Sequence, residues 1–407
     1  MSLFSRPIKL GILANEFLDP SIGRVGGFGW AARTAADVFE ANPELGVEPV
    51  FLSGEHRVDG ERQTTVSNGT RLVLRRRGWR ENYLALARER IDIILTIEYR
   101  PSYDALLWAQ PTTPVIVWVR DPHTPADNAK IFSLRVPGGD GATPAGLWRV
   151  NSRRLSKIAG WSRLVRRPVL LANKMAYLRA KNQATYDLPP SDLVLPNPDV
   201  IDYKRETRPK GDRASVVFLG RLDPIKRPWL FIELARRIPD VEFLMLGTNH
   251  QAGRPGAWQP EDVPTNVRML GHVSGREKVR LLERALVLVN TSIHEESPVS
   301  VLEALACQTP PVTYEDWGDI VQRFGTVIGQ HPGDGVAGLD ALESAVRRLL
   351  HDEETRRQLG ATGRSWVMQE HNTERFIESF AHIVQLTGRF YPNSTVMNQH
   401  SVAALTS

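Results

Sequence analysis

The stretch TSIHEESPVSVLEALACQTPP, Thr291–Pro311, follows the apolar run Leu286–Asn290 and converts a strand into a helix. Ser297 suits the N-cap, where a hydroxyl accepts from orphan helix amides, and Pro298 suits the first helical position, which needs no N–H donor. The pattern predicts a helix to about Gln308, stopping before Pro310. A strand, a polar loop and a helix in sequence form the repeating unit of α/β folds with parallel sheets.

The same alternation extends in both directions. Further strands are predicted at Ser215–Leu219, Val241–Leu246, Val267–Leu270, Pro311–Thr313 and Gly325–Ile328. The first half offers Lys9–Asn15, Val47–Leu52, Ile91–Ile97, Pro114–Val119, Pro168–Ala172 and Asp192–Leu195. These runs are short and rich in Ile, Leu and Val, as strands covered on both faces should be. Between the halves, Pro196–Arg213 is polar, charged and without periodicity, and it reads as a linker. The predicted organisation is a Rossmann-like domain over 1–200, a second over 201–372, a C-terminal helix over 373–391 and a flexible tail over 392–407. Open α/β sheets bind ligands at the carboxyl ends of their strands, so the site is expected in a cleft between the halves.

The 407 residues are 42% hydrophobic and 24% charged, ordinary for a globular chain of two or three domains. A single cysteine, Cys307, rules out an internal disulfide and a cysteine-built zinc site. No run of 18 apolar residues is present, and Met1–Leu10 lacks the apolar stretch of a signal peptide, so cytoplasm is the expected location.

Three segments carry chemistry. GRLDPIKRP, Gly220–Pro228, follows a predicted strand, and Arg221 and Lys226 flank its turn into the next helix. A helix N-terminus favours an anion, and two cations there suit a diphosphate; a solvated basic turn is the alternative. Glu295 and Glu296 lie in the loop after Asn290, where they also simply favour the helix N-terminus. Glu303 is different. It stands between Val301, Leu302, Ala304 and Leu305, and a carboxylate in such company needs a bonded partner, for which a ribose diol would serve. RVGGFGW, Arg24–Trp30, opens a helix in the first half and would present Gly26–Gly29 amides, although a loop without a ligand fits it equally.

Together these segments resemble glycosyltransferase family 4, of the GT-B fold. Glu295 and Glu303 match the family's E-x7-E pair. GRLDPIKRP is similar to its phosphate-binding turn, PNPDVID (Pro196–Asp202) to its linker motif, and GGFG (26–29) to its N-terminal glycine loop. The resemblance implies two Rossmann-like domains facing across a cleft, with the C-terminal helix crossing back to the first. It implies a retaining transferase that moves a sugar from a UDP-, GDP- or ADP-sugar to a glycan, a lipid-linked saccharide or a small metabolite, with no cofactor and no metal. Arg221 and Lys226 would hold the diphosphate, Glu295 the transferred sugar and Glu303 the ribose. Gly26, Gly27, Ser297, Pro298 and Val299 would also line the donor, as would Arg120 or His123. The chain departs from the pattern at Glu296 and Ser297, where E-G-F is usual. It also departs at Gln308, where glycine is usual, and at Arg120, where histidine is usual. A non-catalytic sugar-nucleotide binder and a GT-B phosphorylase or epimerase are therefore the alternatives.

One segment lies outside this scheme. Lys130–Arg167 carries nine Lys/Arg against the single acid Asp140, together with Trp148 and Trp161. An anionic membrane surface or an anionic acceptor would suit it, as would a plain solvated helix pair. No nucleic-acid recognition motif accompanies the charge.

Overall fold

The computed structural model describes residues 3–19, 26–56, 64–67, 69–75, 78–138, 154–202, 215–249, 258–260, 262–296 and 298–388. They form two compact units, one drawn from Met1–Thr124, Val150–Pro198 and His371–Ser407, the other from Pro125–Arg149 and Asp199–Glu370.

The first unit is built on β1 (Ile8–Ala14), β2 (Val47–His56), β3 (Thr64–Ser67), β4 (Thr70–Arg75), β5 (Ile93–Ile97), β6 (Val115–Val119) and β7 (Val169–Asn173). Their order across the sheet is β3-β4-β2-β1-β5-β6-β7, parallel except for the β3–β4 pair. Every residue of β5 and β6 is buried, as continuous apolar runs require. The helix Gly27–Ala41 lays Ala31, Ala32, Ala35 and Ala36 on this sheet, and such small side chains allow close approach. The helix Thr373–Gln385, the last among the described residues, belongs here as expected. Asn372 caps it by accepting from the Arg375 amide at 2.8 Å. Phe376 and Phe380 then pack on Phe39 at 6.0 and 5.0 Å, and Phe376 on Trp118 at 5.7 Å.

The second unit has β8 (Ser215–Leu219), β9 (Glu242–Leu246), β10 (Val267–Gly271), β11 (Val287–Asn290), β12 (Pro311–Thr313) and β13 (Thr326–Val327). All are parallel, in the order β10-β9-β8-β11-β12-β13. Successive strands leave β8 in one direction and β11 in the other, so the order reverses between these two.

Several details differ from expectation. The hairpin β3–β4 was not anticipated. Asp192–Leu195 is not a strand but a single bridge, Asn173 to Val194. The helix Pro125–Phe132 comes from the first half of the sequence, yet Ile131 and Leu134 are buried in the second unit's core. Much of the expected linker, 203–213, and the tail after 388 lie outside the described residues. No described helix is long and apolar enough to cross a membrane.

His371 begins the return to the first unit. It is fully buried, and its Nδ1 accepts from the Asn197 amide at 3.1 Å. Burial, reinforced by the charges of Lys174, Arg120 and Arg375, pushes its pKa down to about 3. The unfolded chain therefore takes up a proton near pH 6.5 that the folded chain refuses until about pH 3. Stability from this group is complete above pH 6.5 and falls by about 1.4 kcal/mol per pH unit below it. Urea unfolding of His371→Gln should show a shallower acid slope than wild type between pH 6.5 and 4. Identical slopes would contradict the burial.

Candidate functional site

Loops at a reversal of strand order lie beside one another at the carboxyl end of the sheet, which makes that point a natural crevice. Here they are the loops after β8 and β11, which hold GRLDPIKRP and TSIHEE. The first is set from below by Gly247. That residue has φ +154°, and a Cβ on it would stand 1.8 Å from the Gly220 carbonyl oxygen, so only glycine allows this approach. The Gly220 amide in turn donates to Leu246 O at 3.0 Å. Arg221 then pairs with Asp223 at 3.2 Å. Pro224–Lys226 makes one 3-10 turn, and Pro228 opens the helix Pro228–Arg237 as predicted.

The two loops are bonded to each other. Thr291 Oγ1 donates to Lys226 O at 2.6 Å, and the Ile293 amide donates to Ile225 O at 2.9 Å. Between them lies Arg227, which adopts φ +46° and turns inward where its neighbour Lys226 does not. Its guanidinium donates to Thr291 O at 2.7 Å, His331 O at 2.6 Å and Ser292 O at 3.2 Å, and lies 4.4 Å from the centre of the Tyr314 ring. Burial lowers its pKa to about 10, so it stays charged at neutral pH.

Lys226 Nζ meets Glu295 Oε1 at the mouth of these loops, and Ser292 Oγ donates to the same oxygen at 2.8 Å. The following helix is Val299–Ala306, with Pro298 rather than Ser297 at its cap and no side-chain cap bond. The helix therefore starts one residue later than predicted, and Ser297 lies outside the described residues. Glu303 is buried on that helix, and Lys278 Nζ stands 2.6 Å from its Oε1. Burial raises the Glu303 pKa, and the Lys278 charge pulls it partly back. Gln308 has φ +58°, the left-handed position that closes many helices, which is a physical reason for glycine to be usual there. That departure concerns the helix end rather than the chemistry.

In the first unit, Gly26 is the extended cap of the Gly27–Ala41 helix, and a Cβ on it would meet Glu16 Oε2 at 2.5 Å. The same carboxylate accepts from the Gly29 amide at a long 3.4 Å, whereas a Cβ on Gly27 would meet open space. The helix N-terminus thus has an anion of its own beside it. Arg120 is buried. It donates to Asn197 Oδ1 at 2.8 Å and stacks 4.3 Å from the Trp118 ring, and burial lowers its pKa to about 9. Its backbone amide and that of Asp121 donate to the buried Glu98 at 2.9 and 2.8 Å. His123 is buried with Nε2 3.3 Å from Asp121. Burial is the largest single influence on its pKa and acts downward, but Asp121 and Glu98 together outweigh it, and the net shift is upward.

Part of the basic segment is spent on structure, while its residues 139–153, among them Arg149 and Arg153, lie outside the described residues. Lys130 pairs with Glu315, Arg154 with Asp104 at 2.5 Å, and Arg167 bonds the carbonyls of Leu107 and Gln110, both at 2.6 Å. Trp161 packs edge-on against Trp108 at 4.9 Å, while Trp148 lies outside the described residues. Lys157, Arg163 and Arg166 remain exposed. A group with metal-ligand character does exist in the second unit. His294 has Nδ1 3.8 Å from Asp127 and Nε2 3.9 Å from Glu296, with all three buried.

Residues 199–366 match the family described as glycosyl transferases group 1. The chain is 31% identical over 200 residues to alpha-maltose-1-phosphate synthase of Mycolicibacterium smegmatis, covering 44% of this chain and 48% of that one. It is 27% identical over 173 residues to D-inositol 3-phosphate glycosyltransferase of Mycobacteroides abscessus, covering 39% of each. The matches thus span about half or less of these relatives' length. In structure, HepE of Anabaena, solved with UDP-glucose, is similar with a TM-score of 0.64 at 13% identity, over 93% of this chain and 99% of that one. The fold is GT-B.

Two residues central to this site, Arg227 and Lys278, were not singled out in the sequence. Arg227→Lys replaces a three-way fork by a single ammonium and forfeits at least two charge-assisted bonds, together worth about 3 kcal/mol or more. Thermal unfolding should fall by roughly 6–12 °C. An unchanged midpoint would show that Arg227 does not hold these loops.

Proposed function

We propose that the protein is a retaining glycosyltransferase, with the site on its second unit gripping the donor, a nucleotide-sugar. The observation that carries this reading is the convergence of Lys226 and Glu295 at the strand-order reversal, inside the stretch that matches the group 1 transferases. The names of the similar proteins support a nucleoside diphosphate donor, since HepE was solved with UDP-glucose and a further relative of M. smegmatis is described as GDP-mannose-dependent.

In this reading the donor's diphosphate takes Lys226 from Glu295 and also meets Arg221. Glu295, released, accepts from hydroxyls of the sugar. The bond from the anomeric carbon to the phosphate oxygen breaks, and the electron pair leaves with the diphosphate, where Arg221 and Lys226 stabilise the growing charge without a metal. An acceptor hydroxyl attacks from the same face, its oxygen bonds the anomeric carbon, and its proton passes to the departing phosphate oxygen. The configuration is therefore kept. The acceptor is a hydroxyl-bearing glycan, lipid-linked saccharide or metabolite.

A panel of UDP-, GDP- and ADP-hexoses, assayed for free nucleotide with and without simple sugar acceptors, tests this directly. The wild type should release nucleotide from one of them, slowly without acceptor. Lys226→Ala should lower kcat by about 10²–10³, the cost of removing one charge-stabilising donor, and Glu295→Ala should reduce transfer strongly. Turnover at wild-type rates in both variants would refute the assignment. Tight nucleotide-sugar binding without any release would mark a non-catalytic binder.

A further inference from the structure

The helix Gly275–Arg284 is strongly polar, yet it puts one cation inward. Leu282 is fully buried on it, and Lys278 lies four residues earlier, one turn above on the same face. The Thr309 hydroxyl fixes the far end of this helix by donating to Leu282 O at 2.7 Å. Lys278 Nζ thereby arrives 2.6 Å from Glu303 Oε1, and both side chains are largely buried.

An ion pair in such a place is a poor stabilising device, because desolvating two charges offsets most of their attraction. Apolar residues would serve the packing of the helix Val299–Ala306 better, since its Val301, Leu302, Ala304, Leu305 and Ala306 are all buried. The pair has a chemical use instead. A carboxylate has two oxygens and about four lone-pair sites, so one bond from an ammonium leaves room for two hydroxyl donors. Without the ammonium, burial would favour the protonated acid, which gives up acceptor capacity to its own proton.

We infer that Lys278 is a positioning residue, which holds Glu303 ionised and in one orientation so that it reads the ribose diol of the donor nucleotide. This rests on the donor-site reading above and on the ribose contact that the family resemblance implies for Glu303, and adds to them Lys278 as the residue that keeps that contact in place. Lys278 need not touch the ligand, and its effect passes through Glu303.

The test is calorimetric titration of UDP, GDP and ADP, and of their 2′-deoxy forms, into wild type, Lys278→Met, Lys278→Arg and Glu303→Ala, with thermal unfolding of each. For its preferred base, the wild type should bind the ribo form about tenfold or more tightly than the deoxy form, as expected for a hydroxyl bonded to a charged group. Glu303→Ala should abolish that ratio. In Lys278→Met the ratio should fall to about twofold while the deoxy form binds as to wild type, which shows that the fold and the diphosphate grip survive. Lys278→Arg, which restores the charge, should recover most of it. A full wild-type ratio in Lys278→Met would overturn the inference, and so would equal weakening of both forms. A wild-type ratio near one for every base would overturn the inference as well, by removing the Glu303–ribose contact, whereas failure of every nucleoside diphosphate to bind would overturn the donor-site reading beneath it.

Discussion

The buried guanidinium of Arg227 is the constraint on which the second unit's site depends. Three carbonyls from two separate loops, those of Thr291, Ser292 and His331, converge on it, and Tyr314 covers its face. Carbonyls at the ends of parallel strands have no ladder partner, and buried away from water each would cost a few kcal/mol. One arginine answers all three. The desolvation of its charge consumes much of that gain, as the lowered pKa records. What remains is specificity of shape: the loop after β8 and the loop after β11 can take only the arrangement that suits the fork.

That arrangement brings acid and base together in a regular way. Arg221 lies against Asp223, Lys226 against Glu295 and Lys278 against Glu303. Each of these three cations has a carboxylate before any ligand arrives, so at these positions an anionic ligand meets ion pairs rather than bare positive charge. Binding must exchange partners. A diphosphate can compete for Lys226 because it offers several oxygens in place of one carboxylate, and the displaced Glu295 then needs donors, which sugar hydroxyls supply. On the proposed reading, the paired site favours ligands that bring an anion and hydroxyls together over simple anions.

Much of this was legible in the sequence because it is local. The apolar runs of β5, β6, β8 and β9 announce themselves, and Pro228 marks its helix start to the residue. The hairpin of β3 and β4 was missed because Thr64–Ser67 and Thr70–Arg75 are short and partly polar, although Asn68–Gly69 between them is a strong hairpin dipeptide. Arg227 and Lys226 look alike as neighbours in a basic turn, and only the left-handed backbone at Arg227 sends one inward and leaves the other at the site. The partner of Glu303 could be anticipated as a need but not as a residue, because Lys278 is 25 positions away on another helix. Arg120, which the resemblance offers together with His123 as facing the sugar, also bonds Asn197 and stacks on Trp118, partners that sequence spacing cannot reveal.

The central claim is that the second unit grips a nucleoside diphosphate by exchanging its own ion pairs. A crystal structure of the protein grown with whichever of UDP, GDP or ADP binds it most tightly tests this most directly. The account predicts diphosphate oxygens within hydrogen-bond distance of Lys226 and Arg221, Glu295 parted from Lys226, and the ribose hydroxyls on a Glu303 still held by Lys278. A nucleotide bound elsewhere on the protein, or bound with the Lys226–Glu295 pair intact, would contradict it.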